Sequence, residues 1–419
     1  MMDSTPLHAD DVAQIAAHGL TTEDVLRQIH LFKNPPRHVK LVRPCLPGSG
    51  IRVLDDAQAH ACVTAFETAC AHGRFLKFVR ASGVASRSSR TLFEEHLVEA
   101  AAYMRDRDGV CRLHFVVLPS RLERFQQLLE RVRPAYEARC AARFQVSFST
   151  QYPCTDTVAV DRDNHPLRDA TGALLFRKGG HGALLENLSA MRGDLVFIKN
   201  IDNVVPEDRK GPARHWKKVL GGQLVQIQSE IFRHVTLLSS PPSRSTAIRD
   251  ALHFVREALS VEVPTHVVGA GADVLHAFLI AKLDRPLRVC GMVRSDDNLG
   301  GGPFWVKGRD DTSTLQIVEA AQVDPGAPDQ QAVLRGATHF NPVDLVCGVR
   351  DWRGVPFDLR RYVDQSAVFI AQKSSGGRTL KALKHPGLWN GAMADWNTVF
   401  VEVPAATFRP LKTANPLLG

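Results

Sequence analysis

Three polar residues at the end of one apolar run are the first candidates for chemistry. The sequence Asp194-Leu-Val-Phe-Ile-Lys-Asn-Ile-Asp-Asn203 has a short branched and aromatic core, Leu195 to Ile198, and then delivers Asn200, Asp202 and Asn203. Such a run reads as a strand buried on both faces, and open α/β sheets place their ligands beyond the carboxyl ends of their strands. Asp202 either caps the turn, the usual fate of Asp in an Ile-Asp-Asn sequence, or holds a cation such as Mg²⁺ whose other ligands are water and phosphate. Just upstream, the small-residue loop Gly179-Gly180-His181-Gly182 opens the helix that leads into this strand. Backbone N–H groups left free at a helix start can meet an anion. His181 has no second histidine at ligand spacing, so it reads as a hydrogen-bond donor to substrate or as a structural residue rather than a metal ligand.

A second small-residue stretch, Ala81-Ser82-Gly83-Val84-Ala85-Ser86-Arg87, follows the strand-like Arg74-Phe-Leu-Lys-Phe-Val-Arg80. It is either a tight turn or a phosphate cradle: backbone N–H groups can approach a triphosphate, Ser82 and Ser86 add donors, and Arg87 neutralises charge. The run Gly300-Gly301-Gly302-Pro303-Phe304-Trp305 is a simple turn or a backbone that comes close to a ligand, since consecutive glycines cost entropy. Gly269-Ala-Gly-Ala-Asp273 lacks the third glycine of a dinucleotide loop and is set aside. Near the end, Trp396 reads as core, while Trp389 and Asn390, flanked by glycines, read as pocket lining. The combination suggests a nucleotide or a phosphorylated sugar as ligand.

Regular elements must hold these residues. Apolar spacing predicts helices over 22–32, 56–72, from about 92, and over 122–142, alternating with strands at 74–80, 113–118 and 144–148. Strands are expected again at 287–293, 315–318 and 398–403. This alternation is that of a mostly parallel sheet flanked by helices. The basic helical stretch with Arg209, Lys210, Arg214, Lys217 and Lys218 reads as an inserted lid or helical subdomain. We expect a helical cap over 1–72, a core over 73–350 with its insertion at about 206–264, and a segment 351–419 that completes the core.

Composition bounds the class. The 419 residues carry a formal charge of +8 and 23% charged residues, an ordinary globular balance. The basic residues are dispersed and no aromatic-interleaved RNA motif accompanies them, so a cleft for a small polyanion is favoured over nucleic acid. The eight cysteines form no CxxC pair, which argues against zinc and disulfide frameworks. The longest apolar stretches fall far short of the roughly 18 residues that span a membrane, and the start has no signal pattern, so a cytoplasmic protein is expected.

Longer motifs carry a resemblance. Lys77-Phe-Val-Arg-Ala-Ser-Gly-Val-Ala-Ser-Arg87, Thr155-Asp-Thr157, Gly179-Gly-His-Gly-Ala183, Phe197-Ile-Lys-Asn-Ile-Asp-Asn203, Arg288-Val-Cys-Gly-Met292, Thr338-His-Phe-Asn-Pro-Val-Asp344 and Leu388-Trp-Asn-Gly-Ala-Met393 resemble the bacterial family called domain of unknown function 4301. Against that family Arg80 replaces an expected proline, and Ser88-Ser89-Arg90 replaces Met-Phe-Lys. More distantly, the order of these loops, with Gln316-Ile-Val-Glu319 and Thr407-Phe-Arg-Pro-Leu-Lys412, is similar to that of UDP-sugar and UDP-N-acetylhexosamine pyrophosphorylases. That likeness implies a glycosyltransferase-A-like α/β nucleotidyltransferase fold. It assigns Gly83 and Arg87 to the triphosphate loop, Gly180 to Gly182 to base and ribose, Asp202 to Mg²⁺, Glu319 to a sugar and Lys412 to phosphate. Asn203, Gly301, Gly302, Trp389 and Asn390 complete the expected substrate-binding set.

The expected reaction is attack by a substrate phosphate, on a sugar or similar small molecule, on the α-phosphorus of a nucleoside triphosphate, expelling pyrophosphate. A phosphate oxygen is already anionic, so alignment and charge stabilisation suffice without a His/Asp dyad. The pyrophosphorylases carry a Gly-Gly-x-Gly-Thr-Arg loop and a Pro-Lys pair where this chain has alanines, serines and Arg90. The alternative is therefore a nucleotide-sugar sensor or scaffold on the same fold.

Overall fold

A computed structural model describes residues 7–36, 38–81, 86–87, 90–205, 210–240, 245–294, 301–308, 310–375 and 378–408. The chain opens with α1 (Ala9–Ala17) and α2 (Thr22–Lys33), then the short strands β1 (Leu41–Pro44), β2 (Leu46–Pro47) and β3 (Gly50–Arg52). Next come α3 (Asp56–Ala71), β4 (Phe75–Ala81), β5 (Ser86–Arg87), β6 (Arg90–Thr91), α4 (Leu92–Tyr103), β7 (Val110–Val117), α5 (Leu122–Cys140) and β8 (Arg143–Thr150). Strands β9 (Asp156–Val160) and β10 (Phe176–Lys178), helix α6 (Leu184–Ala190) and strand β11 (Leu195–Asn200) precede α7 (Lys210–Ser239), α8 (Ser245–Glu257), α9 (Thr265–Gly269) and α10 (Ala272–Leu283). The remainder holds β12 (Leu287–Arg294), β13 (Gly302–Lys307), β14 (Ser313–Val318), α11 (Pro328–Arg335), β15 (His339–Phe340), β16 (Leu345–Gly348), β17 (Phe369–Ser375), β18 (Arg378–Lys384) and β19 (Asn397–Glu402).

Helix starts are written in local chemistry. Thr91 Oγ1 accepts from Glu94 N at 3.2 Å while the Glu94 carboxylate accepts from Thr91 N at 2.7 Å, a reciprocal cap that begins α4 directly after the first small-residue loop. Asp55 and Gln58 do the same for α3.

The central sheet has the order β2-β3-β19-β12-β16-β11-β4-β7-β8. All neighbours are parallel except β16, which runs antiparallel to both β12 and β11. The expected mixed, mostly parallel sheet is therefore present, and β4, β11 and β12 end at one common edge.

Alternation along β4 and β11 sorts the two faces. Phe75, Leu195 and Phe197 join a large core with α3, α7, α8 and α10, and Val79 and Ala81 join a second core with α4 and α5. The opposite face, with Phe78, Val196 and Ile198, packs against α6, β14 and the segment 388–396. The helix in the stretch expected as a lid or helical subdomain contributes to the first core. Leu220, Leu224, Ile227, Ile231, Val235 and Leu238 bury one side of α7 against the sheet, and Lys217 is buried there too, over the Phe197 ring.

Two smaller sheets flank the central one: β1-β13-β14, and β10-β9-β18-β17, on which α1 and α2 pack through Ile15, Val25, Ile29 and Phe32. Strands β1 to β3 thus fall within the stretch expected as a helical cap.

Candidate functional site

The parallel pairing of β11 with β4 sets Asn200 beside Arg80 at the carboxyl edge. Paired residues share a face, so both side chains lie on the α6 side of the sheet. The turn that follows is tied down from several directions. Ile201 N donates to Arg80 O at 3.0 Å and Asn203 N to Asn200 O at 3.1 Å. His96 Nε2, from α4, bonds Ile201 O at 3.1 Å, and Asn203 Nδ2 donates to Pro342 O at 2.7 Å. Asp202 projects from this clamped turn into solvent, and its carboxylate has no hydrogen bond or ion pair among the described residues. It does not cap its own turn. Asn200 Oδ1 is buried and likewise has no donor.

The His181 loop forms the second wall. A Cβ on Gly182 would collide with the backbone carbonyl of Pro386, and one on Gly179 with Thr155 O and the His385 ring. Glycine is required there so that the loop can lie flat against 385–387. Gly180 has φ +85°, a conformation open to glycine and costly for other residues. The close fit puts the His181 ring on Trp389, with centroids 4.3 Å apart and planes at 19°. Leu388 N donates to His181 Nδ1 at 3.1 Å, which fixes the proton of the neutral ring on Nε2. Burial pushes the His181 pKa down to about 4, with the Arg80 charge adding to the shift. Its Nε2–H is therefore a neutral donor at ordinary pH.

The third wall follows from Trp389. Asn390, 2% exposed, donates from Nδ2 to Ile317 O at 3.0 Å, locking the 387–391 turn onto β14. A Cβ built on Gly301 would approach Ile317 Cγ2 at 2.6 Å, Asn390 Nδ2 at 3.6 Å and Glu319 Cγ at 3.6 Å, so these residues are immediate neighbours. Glu319 is half-buried, and desolvation raises its carboxyl pKa. A Cβ built on Gly302 would approach Phe304 Cε2 at 2.8 Å and Ala337 Cβ at 3.4 Å.

Of the residues expected from sequence, Asp202 and Asn203 thus share the turn after β11, His181 meets Trp389 while Gly180 and Gly182 lie against Lys384 and Pro386, and Gly301, Glu319 and Asn390 form one cluster. The amides of Asn203 and Asn390 are spent on main-chain carbonyls, so each holds a loop. Ser82, Gly83 and Lys412 lie outside the described residues. Ser86 and Arg87 form β5, paired with Thr91 and Arg90 of β6, and their side chains lie outside the described residues. Sequence reasoning missed Arg80, His96 and Asn187. Asn187 Nδ2 donates to Ser149 Oγ and to Thr150 O, both at 2.8 Å, anchoring α6 to the end of β8.

The family described as Domain of unknown function (DUF4301) matches residues 8–94 and 88–419. The chain belongs to this family. No curated protein matches it. Among solved structures, this DUF4301 chain is similar to the uridine diphosphate N-acetylglucosamine pyrophosphorylase from Trypanosoma brucei, solved with an inhibitor. Identity is 12% and the TM-score 0.55, over 99% of this chain and 78% of that one. It is also similar to a variant of UDP-glucose pyrophosphorylase from Leishmania major, at 13% identity and a TM-score of 0.49, over 99% and 78% of the two chains. The likeness to the T. brucei protein shows the fold: the two chains share one α/β architecture.

Other features of the DUF4301 chain lie away from this edge. Asp161, Asp163 and His165 cluster on the turn after β9, where Asp161 Oδ1 already accepts from the N–H groups of Asp163 and His165 at 2.8 and 2.9 Å. A cavity of about 770 Å³ lies among β3, α3, α7 and α8, on the opposite face of the sheet, and its Arg52 is engaged by Ala258 O at 2.6 Å. That face also buries Lys77, Lys199 and Glu99, with Nζ to carboxylate distances of 3.1 and 2.9 Å, and the pair Lys217–Asp344. Burial lowers the Lys77 pKa to about 8 against the pull of Glu99. No helix among the described residues is long and apolar enough to cross a membrane.

Proposed function

We propose that the protein is a Mg²⁺-dependent nucleotidyltransferase that joins a nucleoside monophosphate, taken from a nucleoside triphosphate, to a phosphorylated small molecule such as a sugar phosphate. The observation that carries the reading is the meeting of three distant segments, 200–203, 180–182 with 387–390, and 301 with 317–319, at the carboxyl edge of a sheet with this fold. In this reading the Gly180–Gly182 loop and the neutral Nε2–H of His181 receive base and ribose, with Trp389 as backing. Glu319, beside Gly301, Gly302 and Asn390, accepts hydrogen bonds from sugar hydroxyls. Ser82, Gly83, Ser86 and Arg87 hold the triphosphate, and Lys412 a phosphate. An oxygen of the acceptor phosphate forms a bond to the α-phosphorus as the bond to the β-phosphate bridging oxygen breaks, and pyrophosphate leaves with that electron pair. No proton has to move in this step.

The oxygen donors suit a hard cation: Asp202 offers an unpartnered carboxylate and Asn200 an orphaned amide oxygen two residues earlier. Bound there, Mg²⁺ would neutralise charge on phosphate oxygens.

Pyrophosphate release from a panel of nucleoside triphosphates and sugar 1-phosphates tests the proposal. Steady release from at least one pair is expected, and Asp202→Asn should abolish it while leaving thermal unfolding unchanged. Nucleotide binding without release would replace the enzyme with a nucleotide-sugar sensor. Wild-type turnover in Asp202→Asn would remove Asp202 from the metal site.

A further inference from the structure

We infer that Arg80 is a substrate-contacting residue, whose guanidinium grips a phosphate group at the carboxyl end of β4. The inference rests on the nucleotidyltransferase reading only for the identity of the molecule that carries the phosphate.

Arg80 lies two residues beyond Phe78 on the same face of β4, between the Asp202 turn and the His181 loop. It is half-buried, and its guanidinium makes no hydrogen bond or ion pair among the described residues. Two other arginines at the central sheet are engaged. Arg74 bonds Asp194 at 2.7 Å and Gln228 at 2.7 Å, and Arg288 bonds Thr398 Oγ1 at 2.8 Å and Trp389 O at 2.6 Å. A half-buried guanidinium with no protein acceptor keeps its donors free for a ligand.

The surroundings specify an anion. Burial depresses the Arg80 pKa while the charge of Asp202 works against that shift, yet no ion pair forms between them. The same positive charge reaches His181 and helps to keep it neutral. Asn200 Oδ1, in register beside Arg80, remains without a donor, so the guanidinium is not turned toward it. A planar fork of N–H groups facing an open edge matches two phosphate oxygens, a geometry that lysine cannot reproduce.

The test uses the full chain in EDTA, with sodium tripolyphosphate and the common ribonucleoside triphosphates titrated by calorimetry into wild type, Arg80→Met and Arg80→Lys. Wild type is expected to bind tripolyphosphate, Arg80→Met to bind roughly 10- to 100-fold more weakly, and Arg80→Lys to fall between them. The His181 pKa, followed by NMR, should rise in Arg80→Met. Should Arg80→Met fail to fold, Arg80→Gln makes the same comparison. Equal tripolyphosphate affinity in wild type and the variant, or no binding by wild type, overturns the assignment. Arg80-dependent tripolyphosphate binding in a protein that neither binds nucleotides nor releases pyrophosphate upholds the Arg80 site and defeats the nucleotidyltransferase reading instead.

Discussion

The imidazole of His181 lies flat on the indole of Trp389, 4.3 Å between centroids, although the two residues come from segments far apart in the chain. The contact joins the loop before α6 to the turn before β19. Leu388 N fixes the histidine tautomer, so one short segment supplies both the stacking surface and the donor that orients the ring on it.

The stack should be measurable as a coupling. Trp389→Ala removes a ring that is 7% exposed and should cost about 3–5 kcal/mol of stability, and Trp389→Phe much less. A double-mutant cycle with His181→Ala in urea unfolding should return about 0.5–1.5 kcal/mol between the rings. Strictly additive losses would show that the two rings only happen to be adjacent.

Stability should fall on mild acidification. Burial lowers the pKa values of His114 and His181 from 6.5 to about 4. The folded forms stay neutral where the unfolded chain binds protons, so stability rises with pH between about 4 and 6.5 and is complete above that window. Each histidine contributes up to about 3 kcal/mol across it. Urea midpoints at pH 7 and pH 5 measure the slope, and His181→Gln should flatten it; an unchanged slope would mean that His181 is protonated in the fold.

Two glycine substitutions should have opposite signs. Gly182→Ala sets a methyl group against Pro386 O, where backbone must move, and should destabilise by more than about 2 kcal/mol. Gly211→Ala, in α7 with nothing within 4 Å, should stabilise by about 0.4–1 kcal/mol. Thermal denaturation of both variants decides the matter. A Gly182→Ala protein as stable as wild type would show that the loop does not lie against 385–387.

Behind the site, Glu99 is the shared counter-charge of Lys77 and Lys199. Burial works to raise the Glu99 pKa, but Lys199 and Lys77 outweigh it and hold the carboxyl well below the usual range. Glu99→Gln would leave these buried ammonium groups unpaired and should cost about 3–5 kcal/mol. Denaturant unfolding at pH 7 checks this, and a loss below about 1 kcal/mol would show that water reaches the cluster.

Local signals carried the principal strands of the central sheet. The alternation of apolar runs marked β4, β7, β8, β11, β12 and β19, because periodicity is decided within a few residues. The basic stretch around Lys217 left a lid and a helical subdomain both open for α7. The apolar spacing from Leu220 to Leu238 buries one side of that helix against the sheet.

Sequence alone determined the class of sheet, the polar turn after β11 and the glycine-rich loops that frame the edge. It left the partners of each residue open. That Arg80 stands beside Asn200 depends on β4 pairing with β11 in a particular register, and that His181 meets Trp389 depends on where the 385–391 segment crosses the His181 loop. Strand order and crossing geometry are set by the packing of all layers together, so no local pattern could encode them. The same holds for the glycines. Their spacing announced a loop, and only the tertiary contact with Pro386 revealed that close packing of two backbones demands them.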